Sequence, residues 1–150
     1  MLKLCVAGAT GRMGKAIITE AASKAHQIVG AIEAPNNPSI GKTLRELGII
    51  NSDTLITGSD RLVEAVQNAD TYISFTSPAA ELVNIPIVAN LRKRVILGTT
   101  GFTAGQNREV VNAMSGKIPA VFSPNYSLGV NILFKLAESL KAFQKGTISA

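Results

Sequence analysis

At 150 residues, 46% hydrophobic and 5% aromatic, the chain suits one domain whose aliphatic core needs no disulfide. Its net charge of +5 is dispersed: only Arg92, Lys93 and Arg94 form a basic run, no aromatic residues are interleaved with the basic ones, and no zinc-ligand or helix-turn-helix spacing occurs, so neither nucleic acid nor metal is an expected partner. No apolar run approaches the ~20 residues that cross a bilayer and no cleavable leader is read at the start, so a cytoplasmic protein is expected, with its lone Cys5 buried and inert.

Leu2, Leu4, Val6 and Ala7 read as a short buried strand, and Gly8, Gly11 and Gly14 follow at once in a G-x-x-G-x-x-G spacing. A helix is expected over 13–24, which makes a strand, a glycine turn and a helix in succession. In such a unit Gly8 permits the tight turn, Gly11 leaves the backbone open to a pyrophosphate and Gly14 lets helix and strand pack closely. The helix N-terminus would offer unpaired N–H groups to the phosphates.

A second strand is expected over 28–32, closed by Glu33 and a turn-rich stretch. An acid about 20 positions beyond such a glycine motif, at the end of the second strand, suits the adenosine ribose hydroxyls. The pattern then predicts a short helix over 42–47, a strand over 54–57, and Asp60 as the cap of a helix around 62–66. A strand over 70–75 precedes a helix over 79–90, which Pro86 is expected to kink or split. Strands over 95–97 and 118–122 flank a helix over 103–114. A long amphipathic helix is expected over 128–143, with Val130, Leu133, Phe134, Ala137 and Leu140 on one face. The alternation predicts an α/β fold, a Rossmann-type doubly wound parallel sheet, with a dinucleotide-binding domain over 1–127 and a tail helix over 128–150.

In a parallel sheet of this kind the loops leaving the carboxyl ends of the strands line one rim. Those loops carry Gly8, Ala9, Thr10, Gly11, Arg12 and Met13; Glu33; Phe75, Thr76, Ser77 and Pro78; Gly98, Thr99, Thr100 and Gly101; and Ser123, Pro124, Asn125 and Tyr126. Small hydroxyl, amide and glycine residues suit close hydrogen bonding to ribose, carboxamide and carboxylate groups. Each loop alone is better read as ordinary turn chemistry.

Taken together and in order, the glycine loop, Glu33, Phe75-Thr76-Ser77-Pro78, Gly98-Thr99-Thr100-Gly101-Phe102 and Ser123-Pro124-Asn125-Tyr126-Ser127-Leu128-Gly129-Val130-Asn131 resemble the 4-hydroxy-tetrahydrodipicolinate reductase (dihydrodipicolinate reductase) family of lysine and diaminopimelate biosynthesis. The resemblance implies an oxidoreductase that transfers hydride from NADH or NADPH to a cyclic unsaturated dicarboxylate, working as a homo-oligomer. It implies that Gly8 through Met13 cradle the pyrophosphate, with Arg12 available to a phosphate of the adenosine half and Glu33 on the adenosine ribose. Phe75 and Thr76 would join the cofactor site, and Gly98, Thr99 and Thr100 would meet the nicotinamide end. Ser123, Pro124, Asn125 and Tyr126 would complete that pocket, and Thr100 would also reach a substrate carboxylate. NADH is modestly favoured, because Glu33 repels an added phosphate and the next residue is Ala34 rather than a basic one.

The family's catalytic residues lie in a second, substrate domain, in a His-His-x-x-Lys segment and an S-G-T loop that this sequence does not contain. His26, the sole histidine, is expected at the surface or at a helix end, and Lys135, Lys141 and Lys145 read as the polar face of the tail helix. No catalytic residue is therefore assigned, and the 150-residue chain alone is expected to have little reductase activity. Two other readings stay open: a non-catalytic dinucleotide-binding module, and another oxidoreductase with the same glycine spacing. A short-chain dehydrogenase would need Tyr-x-x-x-Lys, and neither Tyr72 nor Tyr126 has lysine four residues on.

Overall fold

The structure, a computed structural model, describes the backbone of residues 1–146 and side chains through residue 140. Six strands, β1 (Lys3–Ala7), β2 (Gln27–Glu33), β3 (Ile56–Gly58), β4 (Thr71–Ser74), β5 (Arg94–Leu97) and β6 (Ala120–Phe122), form one sheet. They lie in the order β3-β2-β1-β4-β5-β6, and every pairing is parallel. Helices α1 (Arg12–Ser23), α2 (Leu62–Val66), α3 (Pro78–Asn90), α4 (Ala104–Met114) and α5 (Leu128–Gly146) follow β1, β3, β4, β5 and β6, while β2 runs to β3 without a helix between them. This is the doubly wound arrangement expected from the sequence.

Both faces of the sheet are apolar because the strands alternate between two cores. Cys5, Ala7, Ile32, Tyr72, Val95 and Leu97 pack with Leu62, Val66, Ile85, Val88, Val110 and Met114 from α2, α3 and α4. On the opposite face Leu4, Val6, Ile28, Ala31, Ile56 and Ile73 pack with Ile18 and Ala21 of α1 and with Leu44. Successive strand side chains point to opposite faces, so a strand buried on both reads as a continuous apolar run. Cys5 is fully buried, and burial pushes its thiol up to about 12, which keeps it protonated.

Four sequence expectations differ from the structure. Residues 42–47 do not form a helix. The N–H groups of Leu44 and Arg45 bond to the carbonyls of Thr54 and Ser52, and Thr43 bridges Leu55, so the segment folds back on itself between Gly41 and Gly48 at positive φ. Asp60 does not cap α2; it lies inside a 3-10 turn (Ser59–Arg61), and no side-chain cap bond is made at either start. Pro86 does not split α3, which runs continuously from Pro78 to Asn90 with Glu81, Asn84, Ile85, Val88 and Ala89 buried along it. That packing holds the helix together despite the one missing N–H. Leu2, expected in the first buried strand, lies outside it and is 38% exposed.

The tail helix α5 has the expected amphipathic pattern, and Leu128, Val130, Leu133, Phe134 and Leu140 are exposed. Its expected face includes Ala137, also exposed. The side chains of Lys141 and Lys145 lie outside the described residues. Among the described residues no helix is long and apolar enough to cross a membrane, and no cluster of His, Cys, Asp and Glu could hold a metal.

Candidate dinucleotide site

The sheet order reverses between β1 and β4: β2 and β3 continue to one side of β1, whereas β4, β5 and β6 continue to the other. Loops leaving adjacent strands in opposite directions open a crevice at their carboxyl ends, where ligands bind in open α/β sheets. A cavity of about 450 Å³ occupies this point, lined by Gly8, Thr10, Gly11, Glu33, Phe75 and Thr76 among others. Its volume lies within the usual range for small-molecule sites, roughly 300–1,000 Å³.

Gly8 turns the chain out of β1 with φ +74°, and a side chain there would lie 2.6 Å from the Phe75 carbonyl oxygen. Gly14 is tighter still, since a Cβ would stand 2.0 Å from the Gly8 oxygen. The two glycines bring the N-terminus of α1 against the loop. No side chain caps α1, so the N–H groups of its first turn have no intrahelical partner and retain the positive end of the helix dipole. Gly11, the N-cap, borders the cavity with no side chain in the way.

The loop's earlier amides are already engaged. Gly8 and Ala9 both donate to the Ile32 carbonyl, at 2.9 and 3.2 Å, and Thr10 donates its N–H and its hydroxyl to Glu33 Oε1, each at 2.7 Å. Asn37 Nδ2 donates to Glu33 Oε2 at 3.1 Å. The Glu33 carboxylate is thus fixed at the cavity edge by three internal hydrogen bonds. Ala9 has 0% exposure and its side chain belongs to the core, not to the cavity. Arg12 and Met13 are exposed in the first turn of α1.

A second cavity of about 370 Å³ is lined by Thr99, Thr100, Gly101, Phe102, Asn107, Phe122 and Pro124. Phe75 stands between the two sets of loops: its ring lies so close over Gly98 that a Cβ there would meet Cε1 at 2.1 Å, and it faces Tyr126 with centroids 5.8 Å apart. The Tyr126 hydroxyl donates toward the Leu97 and Val121 carbonyls, at 2.9 and 3.1 Å. Ser123 and Asn125 bond to each other, and Asn125 Oδ1 accepts the Ser127 N–H, a local turn that leads into α5. Of the rim residues read from the sequence, Gly8, Thr10, Gly11, Glu33, Phe75, Thr76 and Ser77 border the first cavity and Thr99, Thr100, Gly101 and Pro124 the second, whereas Ala9, Arg12, Met13, Pro78, Gly98, Ser123, Asn125 and Tyr126 line neither.

His26 is no part of either cavity; its Nδ1 accepts the Leu2 N–H at 3.3 Å. The sequence reading passed over Asn37, Ser59 and Asn84, which also line the first cavity. It passed over Glu81 as well, which is completely buried below the rim. A signal for Glu81 exists: with Asn84, Ile85 and Val88 it occupies helical positions i, i+3, i+4 and i+7, so the acid sits in an otherwise largely apolar stripe.

A parallel doubly wound sheet with a glycine turn, an uncapped helix and a cavity at the switch point defines a Rossmann-type dinucleotide-binding domain. Residues 2–126 match the family described as dihydrodipicolinate reductase, N-terminus, and the chain belongs to that family. It is 37% identical over 142 residues to the 4-hydroxy-tetrahydrodipicolinate reductase of Trichlorobacter lovleyi, and 36% identical to that of Geobacter sulfurreducens. In each case the match covers 93% of this chain and 52% of the relative, so the chain spans about half the length of these curated relatives. Among solved structures it is similar to dipicolinate-bound dihydrodipicolinate reductase from Paenisporosarcina sp. TG-14, with a TM-score of 0.65 at 20% identity, covering 91% of this chain and 52% of that one. It also shares a fold with a UDP-glucose dehydrogenase from Pyrobaculum islandicum, with a TM-score of 0.52 at 18% identity, over 80% of this chain and 34% of that one.

Proposed function

We propose that the chain is the NAD(P)H-binding domain of a reductase that transfers hydride to 4-hydroxy-tetrahydrodipicolinate, a cyclic unsaturated dicarboxylate, in lysine and diaminopimelate biosynthesis. The observation that carries this reading is the cavity at the β1/β4 switch point, bordered by Gly11, the N-cap of an α1 with no side-chain cap, and by the anchored carboxylate of Glu33. These groups fit a dinucleotide: a backbone open to a pyrophosphate, unpaired donors for its oxygens, and an acceptor for ribose hydroxyls. When bound, the cofactor supplies the hydride.

The chain's own residues bind and orient. In this reading Gly8 through Met13 hold the pyrophosphate, chiefly through Gly11 and the N–H groups of Arg12 and Met13, and the Arg12 guanidinium meets a phosphate of the adenosine half. Glu33 receives the adenosine ribose with Thr10 and Asn37 beside it. Phe75, Thr76, Gly98 and Thr99 flank the nicotinamide half. Thr100, on the second cavity, receives a substrate carboxylate, and Ser123, Pro124, Asn125 and Tyr126 shape that wall. Residues 1–127 form the binding domain, and 128–150 lead toward a substrate domain of the kind the relatives' greater length accommodates. The acid and the second carboxylate clamp belong to that domain, as do the contacts of a homo-oligomer, so the 150-residue chain alone binds cofactor with little turnover.

NADH is modestly preferred, because the Glu33 carboxylate disfavours a 2′-phosphate. Calorimetry with both cofactors tests the assignment. Gly11→Val should abolish binding in a variant that still unfolds cooperatively, since Gly11 has an ordinary helical-entry backbone, φ −69°. Unchanged affinity in the folded variant would remove the pyrophosphate from this loop, and clearly tighter NADPH binding by the unaltered chain would remove Glu33 from the ribose.

A further inference from the structure

Below the rim, three hydroxyls converge on one oxygen. Ser74 at the end of β4, Thr76 in the loop after it and Thr99 in the loop after β5 all donate to Oε1 of Glu81 on α3. Thr99 Oγ1, 3.4 Å from that oxygen, in turn accepts the Thr76 N–H at 2.9 Å. Glu81 has 0% exposure, and its Oε2 has no hydrogen-bond partner among the described residues.

A buried carboxyl with one oxygen unpaired and no cation beside it is costly. Packing does not require it, since Ile85 and Val88 one and two turns on along the same face are apolar. All the hydrogen bonds that Glu81 accepts come from the end of β4 and from two rim loops. Thr76 lines the first cavity and Thr99 the second, so this one side chain joins the loops that border both. It fixes the Thr76 and Thr99 hydroxyls inward, and through Thr99 it fixes the main chain of Thr76. Burial is also the dominant effect on its acidity, raising the pKa above the ordinary carboxylate value despite three hydroxyl donors that lower it.

We propose that Glu81 is a positioning residue that locks the Thr76 and Thr99 loops in the orientation that receives the nicotinamide half of a dinucleotide. This rests on the dinucleotide site proposed above. Glu81 touches neither the first-turn N–H groups of α1 nor Glu33, so its effect should fall on one half of the cofactor and spare the other.

The test compares NADH with ADP-ribose, which lacks the nicotinamide, by calorimetry on the 150-residue chain. Glu81→Met keeps length and helix preference while removing the acceptor; it should weaken NADH by roughly tenfold or more and leave ADP-ribose within about threefold. Glu81→Gln retains a carbonyl oxygen for the three hydroxyls and should restore the unaltered ratio of the two affinities. A folded Glu81→Met chain with an unchanged ratio would overturn the proposal. So would an equal loss for both ligands, the mark of a structural prop. Should Glu81→Met fail to fold, Thr99→Val, which preserves shape and removes the hydroxyl between Glu81 and the Thr76 N–H, reads the same ratio, and an unchanged value there overturns it equally. Absence of binding of either ligand to the unaltered chain would instead defeat the dinucleotide site itself.

Discussion

Replacing Gly14 by Ala puts one methyl group where the structure has no room for it. The added Cβ would stand 2.0 Å from the Gly8 carbonyl oxygen and 2.8 Å from both Gly8 C and Ala9 Cα, whereas unstrained carbon contacts lie near about 3.5–4.0 Å. All three atoms are backbone, and the loop that holds them is tied to β2 through the Ile32 carbonyl. Helix α1 must therefore retreat by roughly 1 Å, and it carries Ile18 and Ala21, buried on the same face, out of the core with it. Overpacking typically costs about 1–3 kcal/mol, and clashes with fixed backbone belong at the upper end. The better helix propensity of Ala returns at most about 1 kcal/mol. The net loss is about 2 kcal/mol, or a fall in Tm of about 4–8 °C for a chain of this size. Gly105→Ala is the matched control, because in α4 the nearest atom to its added Cβ is Thr103 Oγ1 at 3.9 Å; it should leave stability unchanged or raise it by up to about 1 kcal/mol. Thermal or urea unfolding of the two variants decides the matter. Equal shifts, or a stable Gly14→Ala chain, would mean that the close approach of α1 to the glycine turn is not what the packing requires.

Thr103→Ala removes the hydroxyl half of the capping box that Thr103 makes with Gln106 at the start of α4, and should cost about 1 kcal/mol in urea unfolding. Cys5, with its thiol pushed up to about 12 by burial, should resist a thiol reagent in the native chain and react once the chain is unfolded; stoichiometric reaction under native conditions would contradict its burial. Glu81, whose folded pKa lies above its unfolded value, should contribute stability that is fully present below the unfolded carboxylate value and is lost as pH rises through the folded one. No charged side chain contributes to that shift, and the titratable neighbour, the Tyr72 phenol, is itself raised by burial. Unfolding free energies measured across the acid to neutral range should therefore include a falling component that Glu81→Gln abolishes.

The fold was legible in the sequence wherever local pattern and tertiary packing agree. The strands buried on both faces read as apolar runs, and the glycine turn announced the first helix. Residues 42–47 misled because Leu44 and Leu47 have helical spacing, while the hydrogen bonds of the segment go across to Ser52 and Thr54; long-range pairing outweighed a local preference. Asp60 has the chemistry of a cap, yet it was drawn into a 3-10 turn for which no propensity argues strongly. The rim residues were legible as a set because strand ends in a parallel sheet must meet at one edge. Their individual partners were not: nothing in the spacing says that Thr10 bonds Glu33, or that Glu81 faces inward under Thr76 and Thr99. Such contacts depend on side-chain directions that only the packed helix fixes.

The place of β1 has a consequence for how the chain reaches this structure. It comes first of the six strands in chain order, yet it lies inside the sheet, and its partner β4 is joined to it across long stretches of chain: the Lys3 N–H meets the Asp70 carboxylate 67 positions away. Closing so large a loop costs entropy before any pairing is gained, which makes such contacts slow to form. The β1-α1-β2 unit is the part with short-range connections, and it already contains the glycine turn and Glu33. During synthesis that unit can assemble first, with one edge of β1 open until Thr71–Ser74 emerges to close it. Between those two moments β1 is an unpaired apolar edge, and aggregation during expression should be most sensitive to substitutions that delay β4.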